Sequence, residues 1–224
     1  MNNVKDSDSY KINRFETVRG RKIIRLRSNE KAYGSRKEMA KLIGPDMWFT
    51  SDIHINQDTE RTDLITSHIN SKVGKDDHLM FLGDIGHKRD GTFDTLSEAI
   101  NRINCKNKYL ILGNHDMYTI NDYVSMGFKF VDTEVTIPYG NGKILFTHVP
   151  FDLTQKGYHS VINVHGHFHG SNTYYEVDPK NHYDDFLFWD ETYVRSRLIT
   201  RPPVRGYPPV QQLKDLLRWI YTWD

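Results

Sequence analysis

Residues 79–84 read Leu-Met-Phe-Leu-Gly-Asp, and residues 109–116 read Tyr-Leu-Ile-Leu-Gly-Asn-His-Asp. In both stretches a short apolar run, of the length typical of a buried β-strand, ends abruptly in polar side chains. The pattern recurs at three further places, which are Met47–Thr50 before Ser51-Asp52-Ile53-His54, Lys143–Thr147 before His148, and Val161–Val164 before His165-Gly166-His167-Phe168-His169. These runs predict strands that carry acidic and metal-ligating residues where they end.

Helical periodicity fills the segments between the first three of these strands. Apolar residues recur at spacings of three and four in Asp58–Ser71 and in Phe93–Asn104. Alternation of strand and helix implies parallel strands joined by right-handed crossovers. The later runs follow one another closely, and we expect them to form a second sheet packed on the first. The sequence therefore predicts an α/β fold.

Length and composition fit one domain with appendages. The chain has 224 residues, and domains commonly contain about 100–200 residues. No apolar run approaches the length of about 20 that a membrane span requires, and the first 30 residues lack the apolar region of a secretory signal. The lone Cys105 cannot form an internal disulfide, which favours a reducing, cytoplasmic compartment.

Charge is distributed unevenly although the chain carries a net charge of only +1. Residues 1–45 contain 12 lysines and arginines against five acidic residues, a net charge of +7, so the remainder carries −6. We therefore divide the chain into a basic N-terminal extension (1–45), an acidic body (46–200) and a Pro-rich tail (201–224). A basic extension can contact nucleic-acid phosphates, whereas packing of that extension on the body is the structural alternative.

Both appendages contain local structure. In the extension, Tyr10–Val18 and Lys22–Arg27 predict a β-hairpin, and Ser35 with Glu38 has the spacing of a helix-capping box. In the tail, proline pairs interrupt regular structure before Val210–Trp223, which predicts a short amphipathic helix.

Polar strand ends of this kind would meet at one edge of the fold, where α/β proteins bind their ligands. Two divalent cations about 3.5–4 Å apart need a shared anionic bridge and further outer ligands. A mixed set of nitrogen and oxygen donors suits Mn²⁺, Fe, Zn²⁺ or Ni²⁺ better than Mg²⁺. Such a metal pair holds phosphate oxygens and acidifies a bridging water into a hydroxide nucleophile. The pattern thus points to phosphoester hydrolysis.

The chain resembles the calcineurin-like metallophosphoesterases over residues 47–170, in five motifs that occur in the family's order: Asp52-x-His54, Gly83-Asp84, Gly113-Asn114-His115-Asp116, His148 and Gly166-His167-x-His169. The resemblance implies a four-layer α/β/β/α sandwich with two mixed β-sheets. It also implies two divalent metal ions, for which Mn²⁺ is the expected choice.

The resemblance assigns roles to individual residues. One metal would be held by Asp52, His54 and His169, the other by Asn114, His148 and His167, with Asp84 bridging the two. His115 would be the general acid that assists the leaving group. Asp116 and His165 are expected to lie next to the ligands without binding metal themselves. His87 and Arg89 could hold a substrate phosphate.

The motifs narrow the expected substrate to part of the range that the family hydrolyses. Protein phosphatases of the family have an Asp-Arg pair after the bridging Asp, and residues 83–89 lack it. The compact spacing resembles small bacterial and phage phosphodiesterases, so we expect a phosphodiester of a small molecule or nucleotide. A nuclease that uses residues 1–45 and a phosphomonoesterase or nucleotide phosphatase are the alternatives. A non-enzymatic scaffold is disfavoured because every ligand position is filled, while the oligomeric state is left open.

Overall fold

A computed structural model describes residues 15–18, 21–86, 91–149, 161–167, 196–198 and 210–218. Its strands are β1 (Phe15–Val18), β2 (Arg21–Ile24), β3 (Trp48–Thr50), β4 (His78–Leu82), β5 (Asn107–Ile111), β6 (Phe128–Asp132), β7 (Glu134–Tyr139), β8 (Gly142–Thr147), β9 (Val161–His165), β10 (Ser196–Leu198) and β11 (Gln211–Gln212). Its helices are α1 (Arg36–Leu42), α2 (Thr59–Lys72), α3 (Phe93–Asn101), α4 (Ile120–Ser125) and α5 (Leu213–Arg218).

The first sheet has the strand order β11-β3-β4-β5-β6. Strands β3 to β6 are parallel, and β11 pairs with β3 in the antiparallel direction. The crossover helices begin where side chains accept backbone N–H groups, with Asp58 capping α2 and Thr92 capping α3. Predicted strand–helix alternation and parallel pairing are confirmed here.

The two faces of the first sheet belong to different cores, as strand β4 illustrates. Leu79 and Phe81 lie in a cluster with residues of α2, α3 and α4. Met80 and Leu82 point to the opposite face, as alternation along a strand requires, and lie in a cluster with residues of the second sheet. A continuous apolar run was needed because both faces are buried.

The second sheet has the order β10-β9-β8-β7. Strand β9 is parallel to both neighbours, and β7 forms an antiparallel hairpin with β8. Phe49 of the first sheet stacks on Phe146 of the second, with ring centroids 5.0 Å apart. The predicted α/β sandwich with two mixed sheets is therefore confirmed.

The described part of the N-terminal extension packs on the body. Its hairpin is antiparallel, with β2 ending at Ile24 and not at the predicted Arg27. Ser35 caps α1 by accepting the N–H of Glu38, and Met39 is buried between α1 and the second sheet. Arg36 makes two hydrogen bonds to Asp132, of 2.5 and 2.7 Å. Residues 1–14 and 19–20 lie outside the described residues.

Two predicted helix bounds were wrong. Helix α3 ends at Asn101 instead of Asn104, and the buried Lys108 donates to the carbonyls of Ile100 and Ile103 at its end. The tail helix starts at Leu213, not Val210, because residues 211 and 212 pair with the edge of β3. Within the described ranges, no helix is long and apolar enough to cross a membrane.

Candidate metal centre

Five loops meet where strands of the two sheets end. The loop after β3 donates to the loop after β4 twice, from Asp52 N to Gly83 O at 3.0 Å and from His54 N to Asp84 O at 3.0 Å. The loop after β9 donates to the residue after β8, from Gly166 N to His148 O at 3.1 Å. Main-chain bonds between the loops thus fix the edge at which the predicted site residues lie.

Four residues at this edge have a backbone conformation in the left-handed region. Their φ values are positive, at 55° for Asp52, 42° for His54, 54° for Asp84 and 77° for His167. Such a conformation is uncommon for residues other than glycine and costs about 1–3 kcal/mol each. The described chain has no other non-glycine residue with positive φ, so backbone strain is concentrated at this edge.

Two glycines allow the loops to approach one another. A Cβ atom on Gly113 would collide with the Asp84 carboxylate, and one on Gly166 would lie 2.6 Å from Asp52 Oδ2 and collide with Ser51 Oγ. Any larger residue at either position would push these carboxylates away, so the loops need glycine for contact.

Asp84 belongs to two groups of residues that could each hold a metal ion. One group contains Asp84, His148 and His167, the other contains Asp52, His54 and Asp84, and the donor atoms of each lie within 4.8 Å of one another. Asp84 is 1% exposed. A carboxylate with two oxygens is the ligand type that can be shared between two cations.

Two donor atoms of the first group, together with Asn114 beside them, have spacings that fit a divalent metal. Two ligand atoms about 2.1 Å from one ion lie about 3.0–3.4 Å apart in octahedral or tetrahedral geometry. His148 Nε2 lies 3.2 Å from Asp84 Oδ2 and 3.1 Å from Asn114 Oδ1. The second group is wider, with His54 Nε2 at 3.9 Å from Asp84 and 4.0 Å from Asp52.

The tautomer of His148 favours metal binding. Its Nδ1 lies 2.7 Å from the carbonyl oxygen of Leu82, which can only accept, so Nδ1 carries a proton. When Nε2 is deprotonated, its lone pair points to the side of Asp84 and Asn114, whose nearest atoms are also acceptors. Three acceptor atoms that face one another in this state are suited to a cation, which would replace the proton on Nε2.

Electrostatics of the metal-free site follow from this arrangement. Burial opposes a charge on His148, but Asp84 outweighs it and raises the pKa of His148 to about 10. Burial likewise opposes ionisation of Asp84, yet His148 and the backbone N–H of His115 hold the pKa of Asp84 well below its usual range. In the absence of metal the two residues form an ion pair.

The buried Asp116 side chain connects its own loop, which follows β5, to the loop after β4. It is fully buried and accepts three backbone N–H bonds, from Gly113 at 2.7 Å, Asp84 at 2.8 Å and Ile85 at 3.0 Å. Burial and the nearby Asp84 charge raise the pKa of Asp116 to about 7, against the effect of these N–H groups. Its contacts are those of a residue that braces the loop and not of a metal ligand.

His115 lies beside the two groups without joining either. Its backbone N–H donates to Asp84 Oδ1 at 2.8 Å, and its ring is 5.4 Å from that of His54 in an edge-to-face arrangement. His165 is buried, with Nδ1 2.8 Å from Gly166 O, and burial lowers the pKa of His165 to about 3. Three predicted site residues, His87, Arg89 and His169, lie outside the described residues.

Sequence reasoning missed two residues that support the ligands. Ser51 donates to the Asp52 carboxylate and is also 2.9 Å from Leu82 O. Arg61 donates to the carbonyl oxygens of His54 at 2.6 Å and Ile53 at 2.8 Å. The position of Ser51 directly before Asp52 was a usable signal, whereas an arginine within α2 gave none.

Comparison with known proteins identifies the family. The family model for calcineurin-like phosphoesterases matches residues 46–211. The chain belongs to the calcineurin-like phosphoesterase family. For a member of this family, the two Asp and His groups indicate divalent metal ions, without setting which metal.

Other comparisons are less informative about this phosphoesterase. A protein of unknown function from Aquifex aeolicus has a solved structure that is similar over 73% of this chain and 94% of its own, with 16% sequence identity and a TM-score of 0.47. No curated protein matches the chain.

Proposed function

We propose that this phosphoesterase hydrolyses phosphodiester bonds at a centre of two divalent metals. The observation that carries the proposal is that Asp84 belongs to both groups of donors. A shared carboxylate is what distinguishes a two-metal site from two separate sites. Asp52 and His54 would complete one metal site with His169, and Asn114, His148 and His167 the other.

Each of the chain's own groups has a task in this proposal. When bound, the metals would polarise the phosphate and lower the pKa of a water molecule that attacks phosphorus. His115 would protonate the departing alkoxide, since its half-buried ring lies beside the donor groups, next to that of His54. The Asp84 bond to its backbone N–H would keep His115 at that place.

A direct test compares two substrates. We expect the protein with Mn²⁺ to hydrolyse bis(p-nitrophenyl) phosphate faster than p-nitrophenyl phosphate, and a chelator to abolish both reactions. Faster turnover of the monoester would replace the diester proposal with a phosphomonoesterase. A chelator-resistant activity that persists in Asp84→Asn would contradict the two-metal proposal itself.

Mn²⁺ is the proposed metal because imidazole and carboxylate donors are mixed in both groups. Reconstituting chelator-treated protein separately with Mn²⁺, Fe²⁺, Zn²⁺, Ni²⁺ and Mg²⁺ ranks the ions by activity at equal occupancy. Highest activity with Mg²⁺ would contradict the argument from donor type. The predicted cytoplasmic location stays a prediction that depends on the lone Cys105.

A nuclease is the second candidate, favoured by one observation. The basic extension docks beside the loop of His115, because Arg27 donates to Met117 O, and it exposes Lys31 and Lys37. Deleting residues 1–45 is a poor test, since it removes Met39 from the core. Changing Lys31 and Lys37 together to Gln is better. Loss of nucleic-acid cleavage with retained small-diester turnover would favour the nuclease, and equal effects on both would argue against it.

A further inference from the structure

The segment that precedes the family-matched region contacts the loop of the proposed general acid. Arg27 Nη2 donates to the carbonyl oxygen of Met117 at 2.6 Å, across 90 residues of sequence. Met117 follows Asp116 directly and is two residues beyond His115. The family match begins at residue 46, so this bond comes from outside the matched part of the chain.

Arg27 is held in place by its own partner. The Arg27 backbone N–H donates to Glu30 Oε2 at 3.1 Å, and Arg27 Nη1 lies 3.6 Å from Glu30 Oε1. Side-chain exposure is 14% for Arg27 and 7% for Glu30. A shielded ion pair of this kind restricts the guanidinium more than a solvent-exposed pair does. Leu26 packs against the first core cluster and anchors the same turn.

The loop of residues 113–117 is thus bonded on two sides. On the inner side Asp116 accepts the N–H groups of Gly113, Asp84 and Ile85. On the outer side Arg27 holds the carbonyl oxygen of Met117. Because His115 lies between these fixed points, its backbone has little freedom, and its N–H can stay 2.8 Å from Asp84 Oδ1.

We propose that Arg27 is a positioning residue that fixes the His115 loop for leaving-group protonation. The effect on turnover depends on the proposed function, whereas the effect on the loop does not. Small displacements of a catalytic group cost large factors in rate, so a contact that never touches substrate can still control turnover.

Hydrogen exchange of the metal-free protein tests the positioning directly. In Arg27→Ala we expect the backbone amide of His115 to exchange at least about ten times faster than in the wild type, because one of its fixed points is lost. Arg36→Ala is the matched control, since it removes another ion-paired arginine of the same segment, bonded to Asp132 and not to the loop. Unchanged exchange in Arg27→Ala, or an equal increase in Arg36→Ala, would overturn the proposal.

Kinetics with bis(p-nitrophenyl) phosphate give the second readout. For Arg27→Ala we expect kcat to fall about 10–100-fold, KM to stay within about twofold, and Mn²⁺ stoichiometry to be unchanged. Arg27→Lys, which keeps the charge but loses the planar fork, should recover part of kcat. A change confined to KM would overturn the proposal. If the wild type shows no phosphoesterase activity, the proposed function fails, and the exchange result still decides the positioning.

If Arg27→Ala does not fold, Glu30→Gln takes its place. This variant keeps the guanidinium and removes the charge that orients it. We expect the same two changes in smaller measure, with faster exchange at His115 and lower kcat. Wild-type values for both quantities in a folded Glu30→Gln protein would overturn the proposal.

Discussion

His148 and Asp84 form a buried pair, with Nε2 3.2 Å from Oδ2 and neither side chain more than 1% exposed. The Leu82 carbonyl accepts from Nδ1 of His148, which therefore carries one proton. Nε2, at the other side of the ring, faces the carboxylate. In the metal-free protein a proton on Nε2 occupies the place between these two atoms. A divalent cation must displace that proton, which makes metal binding and proton release one event.

Metal binding should therefore release a proton and strengthen with pH. The pKa of His148 is raised from 6.5 to about 10, so the residue is charged at neutral pH. Its contribution to the stability of the metal-free fold is complete below pH 6.5 and is lost as the pH rises through about 10. Titration calorimetry with Mn²⁺ in buffers of different ionisation enthalpy measures the protons released.

Two variants serve as checks on this proton count. His148→Asn should release about one proton fewer than the wild type. His68→Asn, on the outer helix α2, should leave the count unchanged. Binding that is independent of pH between 6 and 9 would rule out the linkage.

If the proposed function is right, Asp84→Asn should remove the shared anionic ligand and reduce phosphodiester turnover about a thousandfold. Two-metal charge stabilisation contributes several kcal/mol, and each 1.4 kcal/mol corresponds to about a factor of ten in rate. Elemental analysis after dialysis should find fewer than two metals per chain. Asp76→Asn changes an exposed carboxylate just before the N-terminal end of β4, at the opposite end of the strand from Asp84. This variant should retain both metals and full turnover.

His115→Ala should slow turnover about 10²–10⁴-fold, the range expected for loss of a general acid, while two metals stay bound. The ring lies next to the donor groups but belongs to neither. Steady-state kinetics and metal analysis on the same sample separate the two effects. His78→Ala, at the opposite end of β4 from Asp84, is the control. Full activity of His115→Ala would remove this residue from the mechanism.

Asp116→Asn should destabilise the fold more than it affects metal affinity. An amide offers one acceptor oxygen where the carboxylate serves three buried N–H groups. Each N–H left without an acceptor costs about 1–3 kcal/mol of unfolding free energy. Urea unfolding of metal-free protein measures the loss, with the exposed Glu98→Gln as control. Equal stability of both variants would show that the three bonds contribute little.

Met39→Ala should lower the free energy of unfolding by about 2–5 kcal/mol, the usual cost of a large-to-small change in a core. Met39 is 2% exposed in α1, whereas Leu42 on the same helix is 48% exposed. Leu42→Ala should therefore stay within about 0.5 kcal/mol of the wild type. Similar small effects for both would mean that the N-terminal extension is not part of the stable fold.

Sequence patterns predicted the strands that lead into the site. Apolar runs predicted β3, β4, β5, β8 and β9, because successive residues in most of each strand are buried. Strands β6 and β7 were not anticipated, since lysine and threonine alternate with their apolar residues and no polar cluster marks their ends. Strand β11 contains two glutamines and is a strand because β3 has a free edge to pair with.

Within the site, the positions of side chains at strand ends could be predicted from the sequence, whereas their bonds to backbone groups could not. That Asp52 and Asp84 lie together was predictable, because β3 and β4 are parallel strands of one sheet and bring their ends to one edge. The bonds of Asp116 were not, since they go to backbone groups that any residue possesses. The contact of Arg27 with Met117 joins residues 90 positions apart, and charge alone indicated only that the extension was basic.

The positive φ values of His54 and His167 at this centre mean that selection for thermostability alone would favour their replacement. A glycine at the position of His54 or His167 would relieve backbone strain and would be favoured wherever catalysis is not tested, whereas glycine at Asp52 or Asp84 would also remove buried hydrogen-bond acceptors. Such a His54 or His167 variant should melt at a higher temperature and bind metal more weakly, because it has lost a proposed ligand. Directed evolution of this protein toward thermostability must therefore select for the proposed turnover in every round, or it will erase the site that the selection is meant to preserve.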